Sequence, residues 1–513
     1  MPRKWKKAAG GGFQARHCAA LSLPVLMISA TLAFGAYAVF FPGPAGGAAA
    51  SGGLCQWWSC QCSAGSSMSG VLRTAGDGAP TSLSHIVFGI GGTARTWSHR
   101  RGYVELWWSP GVTRGHVWLD EEPRGPWPAA TNPPYRVSAD ASRFGRRASA
   151  SRMARIVADS FALAAAANGT GEDGGGEVRW FVMGDDDTVF FPDNLVAVLR
   201  KYDHEQAYYV GAPSESVAQD MLHSYGMAFG GGGFAVSYPA AAELAGAIDG
   251  CLERYRNLFG SDERVHACLS ELGIPLTREP GFHQMDLHGD AYGLLAAHPV
   301  APLVSLHHLD LIQPISPHGR TPLDAVRSLV DAAQLDPARS LQQAFCYHHH
   351  HGGGGSYTWS VSVAWGYAAQ LYPWAVPAHQ LEVPLQTFKA FRGRPDGPFL
   401  FNTRPWRPDD ACARPVTFFL SHARNETAAA AATVTEYSRH AGGKSTEKEC
   451  DKPSFRSAAA VQTVSVLAPK MSPADWERAP RRHCCETAWT TPGSVLEVRI
   501  RRCRGGELTA STP

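Results

Sequence analysis

Residues 177–202 have the sequence EVRWFVMGDDDTVFFPDNLVAVLRKY, and this stretch decides the fold class. Its apolar run, residues 180–183, predicts a strand, the aspartates Asp185, Asp186 and Asp187 predict an acidic turn, and the residues after them predict a helix. Three adjacent carboxylates repel one another, and they are tolerated where a hard divalent cation and a phosphate share their oxygens. An acidic turn after a strand also often caps the next helix, so the pattern by itself leaves a structural role open.

The flanking sequence predicts that this unit belongs to an α/β domain. Upstream, HIVFGIGG (85–92) predicts a strand, TARTWSHRRGYVELWW (93–108) a helix, and GHVWLDEE (115–122) a second strand. Downstream, FGGGGFAVS (229–237) contains a glycine run, and SDERVHACLSELG (261–273) predicts a helix with acids in its first turn. In such a domain the ligand binds at the carboxyl ends of the strands, where the acidic residues lie.

The composition is that of a folded chain. Its 513 residues allow about two to four domains, which excludes a peptide hormone or a minimal binding module. Apolar residues make up 44% and charged residues 18%, so disorder driven by charge is excluded as well. The formal net charge of +2 gives no electrostatic reason to expect nucleic acid as a partner.

The N-terminal sequence predicts one membrane span. Residues 19–41 contain no Asp, Glu, Lys, Arg or His, and about 20 apolar residues cross a bilayer core. Basic residues precede this run, so the positive-inside rule places the N-terminus in the cytosol and the rest of the chain in the lumen. A cleaved signal peptide is the alternative. Both send the chain into the secretory pathway, with which the 12 cysteines and the sequons at Asn168 and Asn425 agree.

We therefore expect a basic cytosolic tail (1–18), a signal-anchor helix (19–41), a stem (42–83), an α/β domain (84–330) and a β-rich region (331–513). In the last region, four histidines followed by four glycines predict a low-complexity insert. Six cysteines lie there as well, enough for three disulfides, although six cysteines allow 15 pairings. They are Cys346, Cys412, Cys450, Cys484, Cys485 and Cys503.

Four segments in order along the chain resemble the plant fringe-like glycosyltransferases, once catalogued as a domain of unknown function and related to fringe and the β-1,3-galactosyltransferases. They are WFVMGDDDTVF (180–190), GGGGFAVS (230–237), SDERVHACLSELG (261–273) and GFHQMDLHGDAYGLLAAHPVAPLVSLHHLD (281–310). The resemblance implies a GT-A fold, a Rossmann-like mixed sheet that binds a nucleotide sugar. It also implies inverting transfer from a UDP-sugar to a glycan acceptor, Mn²⁺ dependence, and a single-pass type II protein of the Golgi membrane with a lumenal catalytic region.

The same resemblance assigns roles to the acidic turn. Asp187 corresponds to the metal ligand of the family's DxD element, and Asp185 and Asp186 to the residues that hold the ribose and phosphate region of the donor. Fringe-like enzymes also use a late histidine as a metal ligand, and His307 or His308 lies at that place, His307 being preferred. A bound cation would neutralise charge on the leaving UDP.

An inverting transferase needs a base that deprotonates the acceptor hydroxyl, and Asp262 is the candidate. It matches the second acid of the family's Asp-Asp pair, whereas the first is Ser261 here. Without the resemblance, Asp262 and Glu263 would be favourable first-turn charges on a helix.

Further residues match donor-facing positions of fringe-like folds: Asp120, Arg100 or its neighbour Arg101, and the glycines Gly231, Gly232 and Gly233. A backbone-packing role for the glycines and a surface role for the charged residues are the alternatives. The tryptophans of the first helix are predicted to be core rather than a sugar platform.

The leading hypothesis is a membrane-anchored, metal-dependent transferase that adds a hexose or N-acetylhexosamine, with a β-1,3 linkage expected from the resemblance. The alternative is a lumenal carbohydrate-binding or scaffold protein that keeps the fold without turnover. A serine hydrolase is not supported, because no GxSxG motif occurs.

Overall fold

The computed structural model describes residues 79–170, 177–319, 321–352, 355–426, 431–440, 450–489 and 493–508. The predicted tail, membrane span and most of the stem lie outside these residues, and so do Cys55, Cys60 and Cys62. Within the described ranges, no helix combines the length and the apolar character that crossing a bilayer requires.

A seven-stranded mixed sheet carries the acidic turn. Its order is β3-β2-β1-β4-β7-β6-β8, and all neighbours are parallel except that β7 runs antiparallel to β4 and β6. The strands are β1 Ile86–Gly91, β2 Arg114–Leu119, β3 Tyr135–Val137, β4 Trp180–Asp185, β6 Tyr209–Gly211, β7 Phe234–Ser237 and β8 Leu276–Arg278.

Ten α-helices lie within the described residues. They are α1 Trp97–Glu105, α2 Ala148–Thr170, α3 Pro192–Leu199, α4 Val217–Leu222, α5 Tyr238–Arg254, α6 Ser261–Glu271, α7 Tyr292–Leu295, α8 Pro322–Leu335, α9 Ala378–Leu381 and α10 Pro453–Ala459. The strands, the first helix and the helix after the acidic turn agree with the sequence expectation, because their apolar residues follow the periods of strand and helix closely.

Both faces of the seven-stranded sheet are buried, which is why its central strands are apolar throughout. Alternate residues of β4 belong to different cores: Trp180 and Val182 pack with α1 and α3, whereas Phe181 and Met183 pack with α2, α5 and α6. The tryptophans of α1 and of the residues after it are buried in the first core, as expected.

Two small sheets lie beside the carboxyl ends of the central strands. One has the order β5-β11-β9, and the other pairs β10 with β15. Their strands are β5 Val189–Phe190, β9 Phe282–His283, β10 Leu287–Gly289, β11 Ser305–Leu306 and β15 Phe388–Ala390. Because β15 comes from the C-terminal part of the chain, residues on both sides of the expected boundary at 330 share a sheet.

The C-terminal part forms a closed eight-stranded sheet in the order β12-β13-β14-β16-β17-β18-β20-β19. The interior contains buried residues such as Trp359, Phe418, Tyr437 and Val466. The strands are β12 Gln343–Gly352, β13 Gly355–Ala364, β14 Ala368–Tyr372, β16 Val416–Asn425, β17 Ala432–Arg439, β18 Thr463–Pro469, β19 Cys484–Trp489 and β20 Val495–Arg501.

The expectation of a low-complexity insert at the four histidines was wrong. His348 to His351 belong to β12 and pair with β13 in register, and His349 Nδ1 lies 2.9 Å from Thr358 Oγ1. The pairing strand β13 begins at Gly355, within the glycine run, so the repetitive composition did not reveal the hairpin.

All six C-terminal cysteines form disulfides, which resolves the open pairing as Cys346–Cys485, Cys412–Cys450 and Cys484–Cys503. A fourth disulfide, Cys251–Cys268, joins α5 to α6 in the α/β part of the chain. No pairing of these two cysteines was expected from the sequence.

Candidate active site

The acidic turn begins at the carboxyl end of β4. Asp185 is the last residue of that strand and pairs with Gly91 of β1. The backbone N–H of Asp185 donates to Thr188 Oγ1 at 2.8 Å, and the Thr188 hydroxyl donates to the Gly231 carbonyl at 2.7 Å. Below the turn, Trp107 Nε1 donates to the Thr188 carbonyl at 3.1 Å. Hydrogen bonds to the glycine run on one side and from Trp107 on the other therefore hold the turn in place.

Three side chains at this turn form a group that can hold a metal ion. Ligand atoms of Asp185, Asp187 and His307 all lie within 4.8 Å of one another. His307 Nε2 is 3.2 Å from Asp187 Oδ1 and 3.8 Å from Asp185 Oδ2. His307 directly follows β11, and its backbone N–H donates to the His283 carbonyl at 3.1 Å, which fixes the position of its side chain beside the turn.

The chemistry of this group fits a divalent cation. Two carboxylates and one imidazole are hard and borderline ligands of the kind that Mn²⁺ and similar ions accept. The buried Nδ1 of His307 has no hydrogen-bond partner among the described residues, so the polar contacts of the ring are made through Nε2. The prediction assigned Asp185 to the donor, whereas the geometry brings it to the metal group.

The charges of the three groups are strongly coupled. Partial burial raises the pKa of Asp185 to about 7. Burial also opposes ionisation of Asp187, but His307 and Arg100 more than offset it, and the pKa of Asp187 lies well below its ordinary value. Burial opposes protonation of His307, yet the charge and hydrogen bond of Asp187 prevail and raise the pKa of this histidine. A cation bound through His307 Nε2 would have to displace any proton from that atom.

Asp186 points away from this group towards α1. Arg100 Nη1 lies 3.0 Å from Asp186 Oδ1 and 3.4 Å from Asp187 Oδ2, and Thr96 Oγ1 donates to Asp186 Oδ2 at 3.2 Å. Of the two arginines considered, Arg100 is therefore the one at the turn, while Arg101 lies 3.8 Å from Glu105.

Asp120 follows β2 at the same edge of the sheet, and its Oδ1 accepts a hydrogen bond from the backbone N–H of Ala94 at 2.9 Å. Asp120, Arg100 and Asp186 thus lie along the carboxyl ends of β1, β2 and β4, where a nucleotide binds in open α/β sheets. Their role in donor binding stays a prediction.

The glycine run makes room for His307. A Cβ at Gly231 would lie 2.0 Å from His307 Cε1, so no other residue fits there without displacing the ring. The Gly232 N–H donates to Gln284 Oε1 at 2.7 Å, and Gly233 has a φ of +85°. These contacts support a packing role for the run, and contact of the glycines with a donor stays a prediction.

Asp262 lies at the start of α6 and faces the glycine run. Its Oδ2 accepts a hydrogen bond from the Gly230 N–H at 3.2 Å, and it lines a small pocket together with Ser261, Asp185 and Met153. Partial burial raises the pKa of Asp262, and two backbone hydrogen bonds oppose this rise. This carboxyl group is close to the metal group and is poorly solvated.

Glu263, the next residue, has a structural role. Its Oε2 accepts hydrogen bonds from the Phe259 N–H at 2.6 Å and the Gly260 N–H at 2.9 Å, which caps α6. Its Oε1 lies 2.7 Å from His223 Nδ1. Asp262 alone of the two acids is therefore directed to the site.

His308, the other candidate metal ligand, forms a hydrogen bond with Asp286. Its Nδ1 is 2.8 Å from Asp286 Oδ1, while the Ser214 hydroxyl donates to Asp286 Oδ2 at 2.7 Å. His308 has a left-handed backbone with φ of 64°, and so does Met285 with φ of 47°. Left-handed non-glycine residues persist only where surrounding contacts hold them, and they concentrate at functional sites.

Asp286 is not among the site residues predicted from the sequence, although it lies within a segment that carries the resemblance. No local signal could have marked it, because Ser214 is 72 residues away along the chain. The neighbouring buried chain of Glu215, His283 and His298 was missed for the same reason: His283 Nδ1 lies 2.8 Å from Glu215 Oε1, and its Nε2 lies 3.0 Å from His298 Nε2.

Two family models match the chain. A model described as Fringe-like matches residues 137–292, which include the acidic turn, the glycine run and Asp262. A model described as "Protein of unknown function, DUF604" matches residues 219–485, more than half of the chain, and these include His307. No curated protein matches the chain significantly. The acidic turn lies within the Fringe-like match and the histidine that meets it lies within the DUF604 match. The DUF604 match covers more than half of the chain, so the chain belongs to that family, and the two matches together support a fringe-like glycosyltransferase family.

Proposed function

We propose that the protein is a metal-dependent, inverting glycosyltransferase that moves a hexose or N-acetylhexosamine from a UDP-sugar to a glycan acceptor. The single observation that carries this proposal is the group formed by Asp185, Asp187 and His307. Family membership implies a glycosyltransferase. The donor, Mn²⁺ as the metal and the β-1,3 linkage are our inferences.

Asp187, His307 and Asp185 would hold the metal ion, and a bound divalent cation supplies Lewis-acid neutralisation of charge on the departing nucleotide diphosphate. Arg100 contributes a fixed positive charge on the outer side of Asp186 and Asp187. Asp186 and Asp187 are buried, which strengthens their interactions with nearby charges.

Asp262 is the group that would accept the proton of the acceptor hydroxyl. Its raised pKa makes it a stronger base than an ordinary aspartate, and the Gly230 N–H holds one of its oxygens in place. Ser261 beside it leaves one carboxylate rather than two at this end of the site.

We further propose a single-pass type II protein of the Golgi membrane with its catalytic region in the lumen. The apolar residues 19–41 and the basic residues before them support this topology. Four disulfides in the described residues support an oxidising compartment.

The test is a screen of UDP-sugars with the purified chain, in which UDP release is followed with Mn²⁺ or with EDTA. We expect one donor to be consumed only with metal, and Asp187→Ala and Asp262→Asn to abolish its consumption. Glu205→Gln, which removes an exposed acid, is the matched control and should retain activity. If UDP binds with Mn²⁺ but no sugar is consumed with any acceptor glycan, the protein is a carbohydrate-binding relative without turnover.

A further inference from the structure

The C-terminal part of the chain returns to the candidate active site through residues 388–401, the return segment. Its first residues form β15, which pairs with β10, and the Phe391 N–H donates to the Asp286 carbonyl at 3.1 Å. Further along, the Leu400 N–H donates to the Glu215 carbonyl at 3.3 Å. Backbone hydrogen bonds near both ends therefore hold the return segment to residues beside the metal group.

A stack of rings leads from the metal group to the return segment. The ring centroids of His307 and His308 are 3.9 Å apart, and those of His308 and Phe391 are 6.3 Å apart in a stacked arrangement. The guanidinium carbon of Arg392 lies 5.5 Å from the Phe391 centroid. Phe391 of the return segment is thus separated from His307 by one ring, that of His308.

The return segment carries unpaired positive charge. Lys389, Arg392 and Arg394 are exposed, and in the part of the chain that the structure describes none of them forms an ion pair. Three cations within six residues repel one another, and this arrangement is favourable where an anion binds.

The candidate site needs cations from outside the acidic turn. Asp185, Asp186 and Asp187 contribute three carboxyl groups, and Arg100 is engaged with two of them. A divalent ion would offset this charge but leave little to balance a diphosphate. The return segment is a neighbouring element with exposed cations that could do so.

We propose that the return segment forms the outer wall of the active site and that Lys389, Arg392 and Arg394 bind the diphosphate of the nucleotide donor. This inference rests on the proposed function. It assigns a substrate-binding role to a segment that lies beyond the Fringe-like match and within the DUF604 match.

The test compares UDP and UMP binding to the full chain in the presence of Mn²⁺ by calorimetry. We expect the triple variant Lys389→Ala/Arg392→Ala/Arg394→Ala to bind UDP about tenfold or more weakly, because charge-assisted contacts to the second phosphate are lost. Its affinity for UMP should change much less. The charge-conserving triple variant Lys389→Arg/Arg392→Lys/Arg394→Lys should recover most of the affinity for UDP.

The matched control is Arg407→Ala/Arg478→Ala/Arg499→Ala, which removes three exposed cations elsewhere and makes the same change in net charge. It should bind UDP like the wild type. Equal loss in both triple variants would show a general effect of net charge and overturn the inference.

The outcomes separate this inference from the proposed function. If the wild type binds UDP with Mn²⁺ and the return-segment variant binds it equally well, only the role of the return segment is overturned. If UDP affinity is unchanged but the KM for an acidic acceptor rises, the donor assignment is wrong and the cations serve the acceptor. If the wild type does not bind UDP, the proposed function and this inference both fail.

Discussion

Asp185 and Asp187 are two residues apart, yet their pKa values are shifted in opposite directions from that of an ordinary aspartate. Burial raises the pKa of Asp185 to about 7, whereas His307 and Arg100 outweigh burial at Asp187 and lower its pKa. Near neutral pH part of the Asp185 population is therefore protonated in the metal-free site, and the pKa of His307 is raised by its contact with Asp187. A metal ion must displace these protons, so its affinity depends on pH.

The first prediction concerns this competition. Mn²⁺ should raise the melting temperature of the wild type more at about pH 8 than at about pH 5.5, because Asp185 is ionised above its pKa and protonated below it. Thermal unfolding with Mn²⁺ or EDTA measures the difference. Asp187→Asn should lose the shift at both pH values, and Asp193→Asn, at an exposed acid on α3, should keep it. An equal shift at both pH values in the wild type would contradict the prediction.

The second prediction separates Asp262 from Glu263. Asp262→Asn should lower the transfer rate by about 10²–10⁴-fold, because a general base is lost. The same variant should melt at a higher temperature near pH 7.5. A carboxyl whose folded pKa is raised destabilises the native state once it ionises, and this penalty is absent below the pKa of the unfolded chain.

Glu263→Gln is the matched variant, because Glu263 caps α6 through the Phe259 and Gly260 N–H groups. It should cost about 0.5–2 kcal/mol of stability while the rate falls much less. Steady-state kinetics and melting curves of both variants measure the two effects. If Glu263→Gln abolished turnover and Asp262→Asn did not, the assignment of the base would be wrong.

Wild-type activity should also fall towards acid pH. Because the pKa of Asp262 is raised, the acidic limb of the kcat/KM profile should lie above the range of an ordinary aspartate. A profile that stays flat down to about pH 4 would contradict this role for Asp262.

At the scale of elements, the loop before β7 packs closely against His307, which follows β11, because Gly231 has no side chain. Gly231→Ala should abolish Mn²⁺-dependent UDP binding, because the new methyl group would overlap the His307 ring. Gly230→Ala is the neighbouring control, since its Cβ would come no closer than 3.7 Å to Asp262. Calorimetry on both variants tests the prediction, and equal affinity would show that the ring has room to move.

The elements around the acidic turn could be predicted from sequence because each carries its signal locally. Strand β4 is a run of apolar residues that ends in carboxylates, and α6 begins with acids at its first turn. The function of the glycine run could not be predicted in the same way. It depends on the distance between Gly231 and His307, which are 76 residues apart in number and meet only in the fold.

The candidate site could be predicted only in part, because some of its contacts also join residues that are distant in sequence. Asp187, His307 and Asp262 were found through the resemblance, whereas the role of Asp286 depends on Ser214 and His308, which approach it from two other segments. At His348 to His351 the composition led to the wrong prediction of a loop. A repeat of polar residues can form a strand when a partner strand lies nearby, and β13 pairs with these histidines.

At the scale of the whole molecule, the C-terminal part and the α/β part are joined by the pairing of β15 with β10 and by side-chain packing. Tyr292 of α7 contacts Phe419 of β16 with ring centroids 5.3 Å apart, and Tyr367 donates its hydroxyl proton to the Ile315 carbonyl at 2.7 Å. The expected boundary at residue 330 stays a prediction, but these contacts show that the two parts share buried surface.

The last prediction ranks three disulfides by the chain length that each one closes. Cys346–Cys485 spans 139 residues, Cys412–Cys450 spans 38 and Cys251–Cys268 spans 17. In the chain-entropy description these contribute about 5, 4 and 3 kcal/mol. Paired Cys→Ala variants followed by tryptophan fluorescence in denaturant should lose stability in that order. A larger loss for Cys251→Ala/Cys268→Ala than for Cys346→Ala/Cys485→Ala would reverse the ranking.

Cys484 and Cys485 are adjacent in β19 but bond to different partners, Cys503 and Cys346. Neighbouring side chains of a strand point to opposite faces, so exchanging the two partners would require β19 to slip by one residue along β12. Such a slip would turn every side chain of β19 to the other face. A molecule that folded in the wrong register would therefore contain non-native disulfides. Peptide mapping of the linked cysteines would measure the fraction of correctly folded molecules without an activity assay.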